Sequence, residues 1–445
     1  MRDLVARLGS AFCASHAPGD TFVLLSAARY CLDWRVSPLS LLTYALFLLL
    51  LSGCGGASKN TSSDGAQRDG GGTFADAAGQ TRDGASAAND GGVPGAADAA
   101  VDPARAGDYV VGTARIEVLA AGDRTLPVQL WYPAVESARA EAEQGRPTED
   151  FEPAGEKHDQ LAKLVAEAPE ICTRKTMNAA DAPDALPRAK AWPLLVFSHC
   201  MDCIRFSAFS IAEHLASLGF VVAAPDHVDG TLYENTGTLN AEFLKTRAAD
   251  IQSVIDVLLD AGARAVPKSL RGRLDADRIG VFGHSYGSVT TGLVLQNDPR
   301  VKAGVMIAAP PESPLLAGVS IKQIGVPGMF IEATEDGSIS AAGNLLIESN
   351  YNAYPEPAWL IKVEDAGHWS FSDIAGLGGT FKPGCGMGTR ANLAPFTYLD
   401  IELAREIAES YIAAFFAQEL LGDAVAGAYL KKATPADVVT LSRHD

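Results

Sequence analysis

The chain lacks a surplus of basic residues. Its 445 residues include 36 Lys and Arg against 54 Asp and Glu, which gives a formal net charge of −18. No run of Lys and Arg forms a local basic patch. Because so acidic a surface repels polyanions, we expect no binding of nucleic acid.

A long apolar run is also lacking. The apolar stretch at residues 41–51, LLTYALFLLLL, has 11 residues, whereas a transmembrane helix needs about 20. This length is typical of the core of a signal peptide, and the alternatives to a lipoprotein signal are an ordinary signal peptide or a buried hydrophobic helix that happens to end in Cys. The residues that follow, Leu51-Ser52-Gly53-Cys54, are typical of a bacterial lipobox. We therefore predict that residues 1–54 are a signal peptide and that lipidated Cys54 anchors an exported protein to a bacterial membrane.

Large apolar residues are almost missing from residues 55–107. This segment is rich in Gly, Ala, Ser and Asp, and Phe74 is its only aromatic residue. Such a composition cannot bury enough surface to offset the entropy of ordering, so it predicts a disordered linker. We expect a catalytic domain at residues 108–421 and a C-terminal tail at 422–445.

Cysteines are few, and four of the seven fall in the predicted domain: Cys172, Cys200, Cys203 and Cys385. In an exported protein these should form disulfides, and the sequence leaves three pairings open. Cys200 and Cys203 have the CxxC spacing of a redox pair or half a zinc site. No second CxxC or HxxxH supplies further ligands, so we expect no metal.

The predicted domain alternates apolar strands with helices. Two strands at 109–119 and 126–132 should form a β-hairpin, and a polar insertion follows at 135–190. Further strands are predicted at 194–198, 220–224, 279–282, 303–309, 327–332 and 359–363, and helices at 207–218, 241–263, 286–296 and 397–420. Continuous apolar strands separated by helices indicate an α/β fold, in which a mostly parallel central sheet is covered on both faces.

The motif Gly283-His284-Ser285-Tyr286-Gly287 matches G-x-S-x-G. An apolar strand runs directly into it and a helix of small residues follows, which is the strand–turn–helix context that this motif requires. The turn exposes a serine hydroxyl above the sheet edge, and glycines on both sides avoid steric collision. We predict that Ser285 is a catalytic nucleophile.

A serine nucleophile needs a base and an acid that orients the base. Only His368 and His444 follow Ser285, and His368 lies in a loop after a predicted strand, so we predict it as the base. Asp336 lies in the loop after strand 327–332 and is the predicted acid. Glu335 is its immediate rival, and Glu312 is a more distant one.

Several segments together resemble the α/β-hydrolase family, in the branch of platelet-activating-factor acetylhydrolase and dienelactone hydrolase. They are LPVQLWYPA, FSHCMDCIRF, LASLGFVVAAPDHVDGT, RAADIQSVIDVLL, IGVFGHSYG and AGHWSFSD, and they span about residues 110–420. The resemblance implies an oxyanion hole built from the amides of Met201 and Tyr286. Acetylhydrolases carry their acid after the strand equivalent to VKAGVMIAAPP, which has no Asp here, so Asp336 matches the dienelactone-type position.

These features predict a membrane-tethered serine ester hydrolase that acts through an acyl-enzyme on a small-molecule or lipid ester. No cofactor is expected, and Trp369 could line an acyl pocket. A non-catalytic lipoprotein that uses the fold for binding, and a peptidase or other acyl hydrolase on the same scaffold, are the alternatives.

Overall fold

The structure is a computed structural model, and it describes residues 100–173, 175–234, 236–382 and 384–444. The predicted signal peptide, Cys54 and most of the predicted linker lie outside the described residues. Within the described ranges, no helix combines the length and the apolar character needed to cross a membrane.

A ten-stranded sheet forms the centre of the fold, in the order β12-β9-β8-β7-β6-β4-β5-β2-β1-β3. Its strands are β1 (Val110–Ala120), β2 (Arg124–Ala134), β3 (Ala180–Asp181), β4 (Trp192–Ser198), β5 (Val221–Pro225), β6 (Leu274–His284), β7 (Val301–Ile307), β8 (Gly328–Ala333), β9 (Ala358–Val363) and β12 (Val439–His444). The strands β10 (Met387–Thr389) and β11 (Pro395–Thr397) form a separate two-stranded sheet. The six strands from β4 to β9 are parallel, while β1 with β2, β2 with β5, and β9 with β12 pair antiparallel. The predicted mostly parallel sheet is confirmed.

Helices cover both faces of this sheet. They are α1 (Arg139–Gln144), α2 (Glu156–Glu167), α3 (Phe209–Ser217), α4 (Ala241–Leu259), α5 (Tyr286–Asn297), α6 (Ser340–Ala353), α7 (Ile401–Leu421) and α8 (Ala424–Tyr429). Side chains of β4 alternate between two cores: Leu195 and Phe197 pack in the core with α3 and α7, and Leu194 and Val196 in the core with α4, α5 and α6. The sheet is therefore apolar on both faces, as parallel sheets require.

The carboxyl ends of the parallel strands are in register along one sheet edge. Ser198 of β4 pairs with Gly283 of β6, and His284 pairs with Ile307 of β7. At the end of β8, Ala333 pairs with Val363 of β9. The loops that leave these strands therefore begin side by side, which is where α/β sheets hold their functional residues.

The C-terminal residues differ from the predicted tail. Residues 424–429 form α8, and Val439–His444 form β12, which pairs with β9 from Val439↔Val363 to His444↔Ala358. This strand is polar on its exposed positions, and only its pairing along the edge of β9 makes it a strand. His444 pairs with Ala358 at the start of β9 and its Nε2 donates to the Tyr351 carbonyl at 3.1 Å, so it lies at the opposite end of β9 from the loop of His368.

The folded part also begins earlier than the expected boundary at Asp108. Val101 is buried, and its amide donates to Asp423 Oδ2 at 2.8 Å. The amide of Gly107 donates to Ser217 Oγ at 2.8 Å. These few residues are ordered by contacts with distant parts of the domain, which composition does not show.

Candidate active site

Ser285 lies at the tight turn between β6 and α5. Its backbone has φ 57° and ψ −118°, a conformation that non-glycine residues rarely adopt. The Ser285 amide donates to the Ile307 carbonyl of β7 at 2.8 Å, which fixes the turn to the neighbouring strand. A strained turn held in this way places the hydroxyl above the sheet edge.

The two glycines of the motif are required by close contacts. A Cβ on Gly287 would lie 1.8 Å from the Ser198 carbonyl oxygen, and a Cβ on Gly283 would lie 2.2 Å from the Gly287 carbonyl oxygen. Both distances are far below van der Waals contact, and the neighbouring atoms are backbone. The turn therefore packs directly against the loop that leaves β4.

The loops after β8 and β9 bring a carboxylate to an imidazole. His368 Nδ1 donates to Asp336 Oδ2 at 2.7 Å, and both side chains are buried. Asp336 Oδ1 accepts from the amides of Ser338 at 2.8 Å and Ile339 at 3.0 Å. These bonds fix the carboxylate, which in turn orients the imidazole so that Nε2 is free to exchange a proton. The Ser285 hydroxyl has no hydrogen bond to any described residue. Ser285 and the His368–Asp336 pair therefore lie at the same edge of the sheet without a direct hydrogen bond between them.

The rival carboxylates have other partners. Glu335 pairs with Arg390, which also bonds Asp365 Oδ1 at 2.5 Å. Glu312 Oε2 accepts from the Ile321 amide at 2.7 Å. Of the three candidate acids, Asp336 is therefore the one in contact with His368.

His284, the residue before the serine, connects the turn to the loop of His368. Its Nε2 donates to the His368 carbonyl at 2.8 Å, and the two rings lie 4.9 Å apart. Burial, with the proximity of His368, lowers the pKa of His284 to about 3, so the ring is neutral. No local sequence pattern indicates this role of His284, because the contact joins residues 84 positions apart.

Two disulfides are present among the described residues, and both lie around this edge. Cys172 bonds Cys385, which links the 135–190 insertion to the segment after His368. Cys200 bonds Cys203 within the loop after β4. Of the three pairings left open by the sequence, this is the one in which the CxxC cysteines bond each other. Within the described part of the chain, no three His, Cys, Asp or Glu side chains cluster as metal ligands.

The predicted oxyanion amides lie on the two elements that meet at the serine. Tyr286 is the first residue of α5, and the first four amides of a helix have no acceptor inside it. Met201 lies in the loop after β4, and its amide has no hydrogen-bond acceptor among the described residues. Both amides are thus available for a ligand oxygen.

Trp369, the predicted pocket residue, is buried with 6% of its surface exposed. Its ring packs edge-on against His368 at 4.8 Å and Phe381 at 5.0 Å. Trp369 therefore supports the base from within the core, and a role in an acyl pocket stays a prediction.

A strained strand–turn–helix serine, with a His–Asp pair at the carboxyl edge of a mostly parallel sheet, defines the α/β-hydrolase class. Comparison with models of known protein families shows which members of this class the chain resembles. Residues 95–236 match the model of platelet-activating factor acetylhydrolase, isoform II, and residues 181–374 match the dienelactone hydrolase family. Together these matches support an α/β-hydrolase family like the platelet-activating factor acetylhydrolases and dienelactone hydrolases.

The curated proteins that this chain resembles share modest sequence identity with it. Platelet-activating factor acetylhydrolase of Cavia porcellus is 27% identical over 271 residues, which cover 53% of this chain and 59% of that protein. Cutinase est2 of Thermobifida alba is 31% identical over 162 residues, or 36% of this chain and 47% of that protein. The platelet-activating factor acetylhydrolase of Bos taurus is 28% identical over 161 residues, 28% of this chain and 36% of that protein. The chain thus spans between about a third and three fifths of the length of these relatives.

A solved structure shares the fold. The ferulic acid esterase of Streptomyces cinnamoneus superimposes with a TM-score of 0.52 at 22% identity, over 71% of this chain and 91% of that one.

Proposed function

We propose that the protein is a serine hydrolase of carboxylic esters. The observation that carries this proposal is the His368–Asp336 bond of 2.7 Å at the sheet edge where Ser285 occupies a strained turn. A protein that used the fold only for binding would need neither the strain nor the buried pair. The relatives named as acetylhydrolase, cutinase and ferulic acid esterase support an ester as the substrate.

In the proposed mechanism, Ser285 Oγ attacks the ester carbonyl while His368 Nε2 accepts the hydroxyl proton. The Asp336 carboxylate accepts from Nδ1 and stabilises the imidazolium that forms. His368 then returns the proton to the departing alcohol, which leaves an acyl-enzyme on Ser285. Water, activated by the same imidazole, releases the acid and regenerates the serine.

The negative charge that develops on the carbonyl oxygen needs two donors. We assign these to the amides of Met201 and Tyr286, since both are available and their elements meet at the serine. Backbone donors held in place before the reaction stabilise the tetrahedral intermediate without reorganisation. One such donor changes kcat by about a hundredfold to a thousandfold.

The position of the acid argues against a narrow specificity for acetyl esters. Asp336 follows β8, whereas the preceding strand β7 ends at Ile307, carries no carboxylate and is followed by Ala308-Ala309. This arrangement resembles the dienelactone type more than the acetylhydrolase type. We therefore propose a small-molecule or lipid ester, without the narrow acetyl specificity of the acetylhydrolases.

Assays of the full chain with p-nitrophenyl esters of graded acyl length, beside a phospholipid, a polyester and a peptide anilide, test this function. Ser285→Ala and His368→Ala should each reduce kcat by more than a thousandfold without changing the fold. Ser253→Ala, on α4 away from the site, is the matched control and should keep full activity. Absence of ester hydrolysis by the wild type would favour a binding protein, and preferential anilide cleavage would favour a peptidase.

We also propose, from the sequence alone, that lipidation of Cys54 tethers the enzyme to a bacterial membrane on the exported side. Cys54→Ser should move the protein from the membrane fraction to the soluble fraction with its ester hydrolysis intact. If the wild type partitions into the aqueous phase of a detergent extraction, the anchor is wrong.

A further inference from the structure

A layer of polar side chains lies beneath the loop that follows β4, and the proposed mechanism does not use it. His199, His227, Arg247 and Asp250 are each at most 1% exposed. Burial of four ionisable groups is costly unless their hydrogen bonds are satisfied, so the contacts in this layer should be specific. We call these four residues the buried layer.

Hydrogen-bond directions in the layer determine the tautomer of His199. The backbone amide of His227 points at His199 Nε2 at 2.9 Å, and an amide can only donate. Nε2 is therefore the acceptor, and the ring proton is on Nδ1. Nδ1 lies 2.6 Å from the Cys200 carbonyl oxygen, to which it donates. Burial, with the nearby Arg247 and His227, holds the pKa of His199 well below its usual range, so the ring stays neutral.

Two successive carbonyls of the loop are thereby held from below. The Arg247 guanidinium bonds the carbonyl of His199, and the His199 ring bonds the carbonyl of Cys200. In a planar trans peptide the C=O and the following N–H point in opposite directions. The Cys200 carbonyl is in the same peptide as the Met201 amide. A carbonyl held toward the layer therefore turns the Met201 N–H away from it.

Asp250, the remaining member of the buried layer, holds His227 in place together with Ser198 and Arg124. Its Nδ1 donates to Asp250 Oδ2 at 2.9 Å, and Asp250 Oδ1 accepts from Arg124 at 2.5 Å. His227 Nε2 therefore accepts from Ser198 Oγ at 2.9 Å. The chain of bonds runs from Arg124 on β2 to the end of β4, so the amide of His227 that meets His199 has a fixed position.

We propose that His199 is a positioning residue: its Nδ1–H bond to the Cys200 carbonyl directs the Met201 amide into the oxyanion hole. This inference rests on the proposed function, because it assigns a cause to the geometry of one proposed oxyanion donor. His199 acts on the reaction only through the peptide of Cys200 and Met201, and it does not touch the substrate.

Two conservative substitutions separate the ring's two hydrogen bonds. In His199→Asn, the amide nitrogen takes the position of Nδ1 and keeps the donor to Cys200, but the acceptor for the His227 amide is lost. In His199→Gln, the amide oxygen takes the position of Nε2 and keeps that acceptor, but the donor to Cys200 is lost. Each variant therefore keeps one of the two hydrogen bonds. The Asn variant keeps the bond that positions the Met201 amide, and the Gln variant keeps the bond to the His227 amide.

The Gln variant should lose about a hundredfold in kcat on p-nitrophenyl butyrate with KM within about threefold, as for a lost oxyanion donor. The Asn variant should keep kcat within about fivefold. It should also have the lower thermal midpoint, because a buried N–H without an acceptor is less well tolerated than a carbonyl that loses one donor. Activity and stability would then rank the variants in opposite order. Loss of kcat that follows the loss of stability, or a Gln variant as active as the wild type, would overturn the proposal.

A measurement without substrate separates this inference from the proposed function. In the full chain with 15N-labelled histidine, long-range nitrogen–proton correlation should show His199 neutral with its proton on Nδ1, the signal being assigned by its loss in His199→Asn. A proton on Nε2, or a charged ring, overturns the inference even if the enzyme hydrolyses esters. A wild type with the predicted tautomer and no ester hydrolysis would instead refute the proposed function, and with it the purpose assigned to this geometry.

Discussion

Replacement of Asp336 by Asn tests the proposed acid most sharply, because the surrounding bonds determine how the amide must sit. Oδ1 of Asp336 accepts from the amides of Ser338 and Ile339. In Asp336→Asn these two donors need an oxygen, so the amide oxygen takes this place. The NH2 group then occupies the position of Oδ2 and faces His368 Nδ1.

An NH2 group that donates to Nδ1 reverses the tautomer of His368. The ring proton moves to Nε2, and Nε2 can no longer accept the proton of Ser285. An Asp-to-Asn change that leaves the geometry intact in this way lowers kcat by about 10⁴, or roughly 5 kcal/mol of transition-state stabilisation. The fold should be kept, because the bonds to Ser338 and Ile339 are preserved.

Steady-state hydrolysis of p-nitrophenyl butyrate, with a thermal melt of each variant, measures this effect. Glu335→Gln is the matched control: it lies next to Asp336, and its partner is Arg390. The control should keep kcat within about fivefold, since the tautomer of His368 is unchanged. An Asp336→Asn enzyme with more than about a tenth of wild-type kcat, or a Glu335→Gln enzyme with the larger loss, would refute the reasoning.

Three further predictions follow from named contacts. Gly287→Ala should prevent folding, seen as loss of soluble protein with native circular dichroism, because its Cβ would lie 1.8 Å from the Ser198 carbonyl oxygen; a folded, active variant would contradict the elbow geometry. Burial raises the pKa of Glu332 from 4.5 to about 7, so the folded state binds more protons in this window and stability falls as pH rises through it. Glu332→Gln should therefore raise the free energy of unfolding in urea by at most about 3 kcal/mol at pH 8, and an equal gain at pH 4.5 would exclude this cause. Reduction of the Cys200–Cys203 disulfide should lower kcat more than it raises KM, since it loosens the oxyanion loop; a loss of activity on chelation instead would point to a metal.

The strands and the serine motif could be predicted from sequence because their signals are local. An apolar run such as β4 is buried on both faces, and the spacing of G-x-S-x-G follows from steric contacts within one turn. Chain order and strand ends were then enough to bring Asp336 and His368 to one edge. Parallel strands align their carboxyl ends whatever the details of the loops between them.

Features that depend on distant pairing could not be predicted. β12 has a polar sequence and becomes a strand only by pairing with β9. Helix α6 was missed because its buried face includes Asn344 and Asn350 while Leu345 is exposed, so its apolar residues do not form one clear stripe. The pairing of Cys172 with Cys385 spans 213 positions, and no local pattern distinguishes it from the two alternatives.

The buried layer shows why residues that only position other site residues are the hardest to find from sequence. Arg247 lies on a helix whose composition suggests a solvent-exposed cation, yet it is fully buried and bonds the carbonyl of His199. Its burial is possible only because β4 ends beneath α4 with carbonyl and hydroxyl acceptors left unpaired by the sheet. Charge and hydropathy describe a residue's own preference, whereas this arrangement depends on what a strand end leaves unsatisfied. A search for unpaired backbone acceptors at the strand ends next to a predicted nucleophile would therefore locate such residues better than any pattern in the sequence.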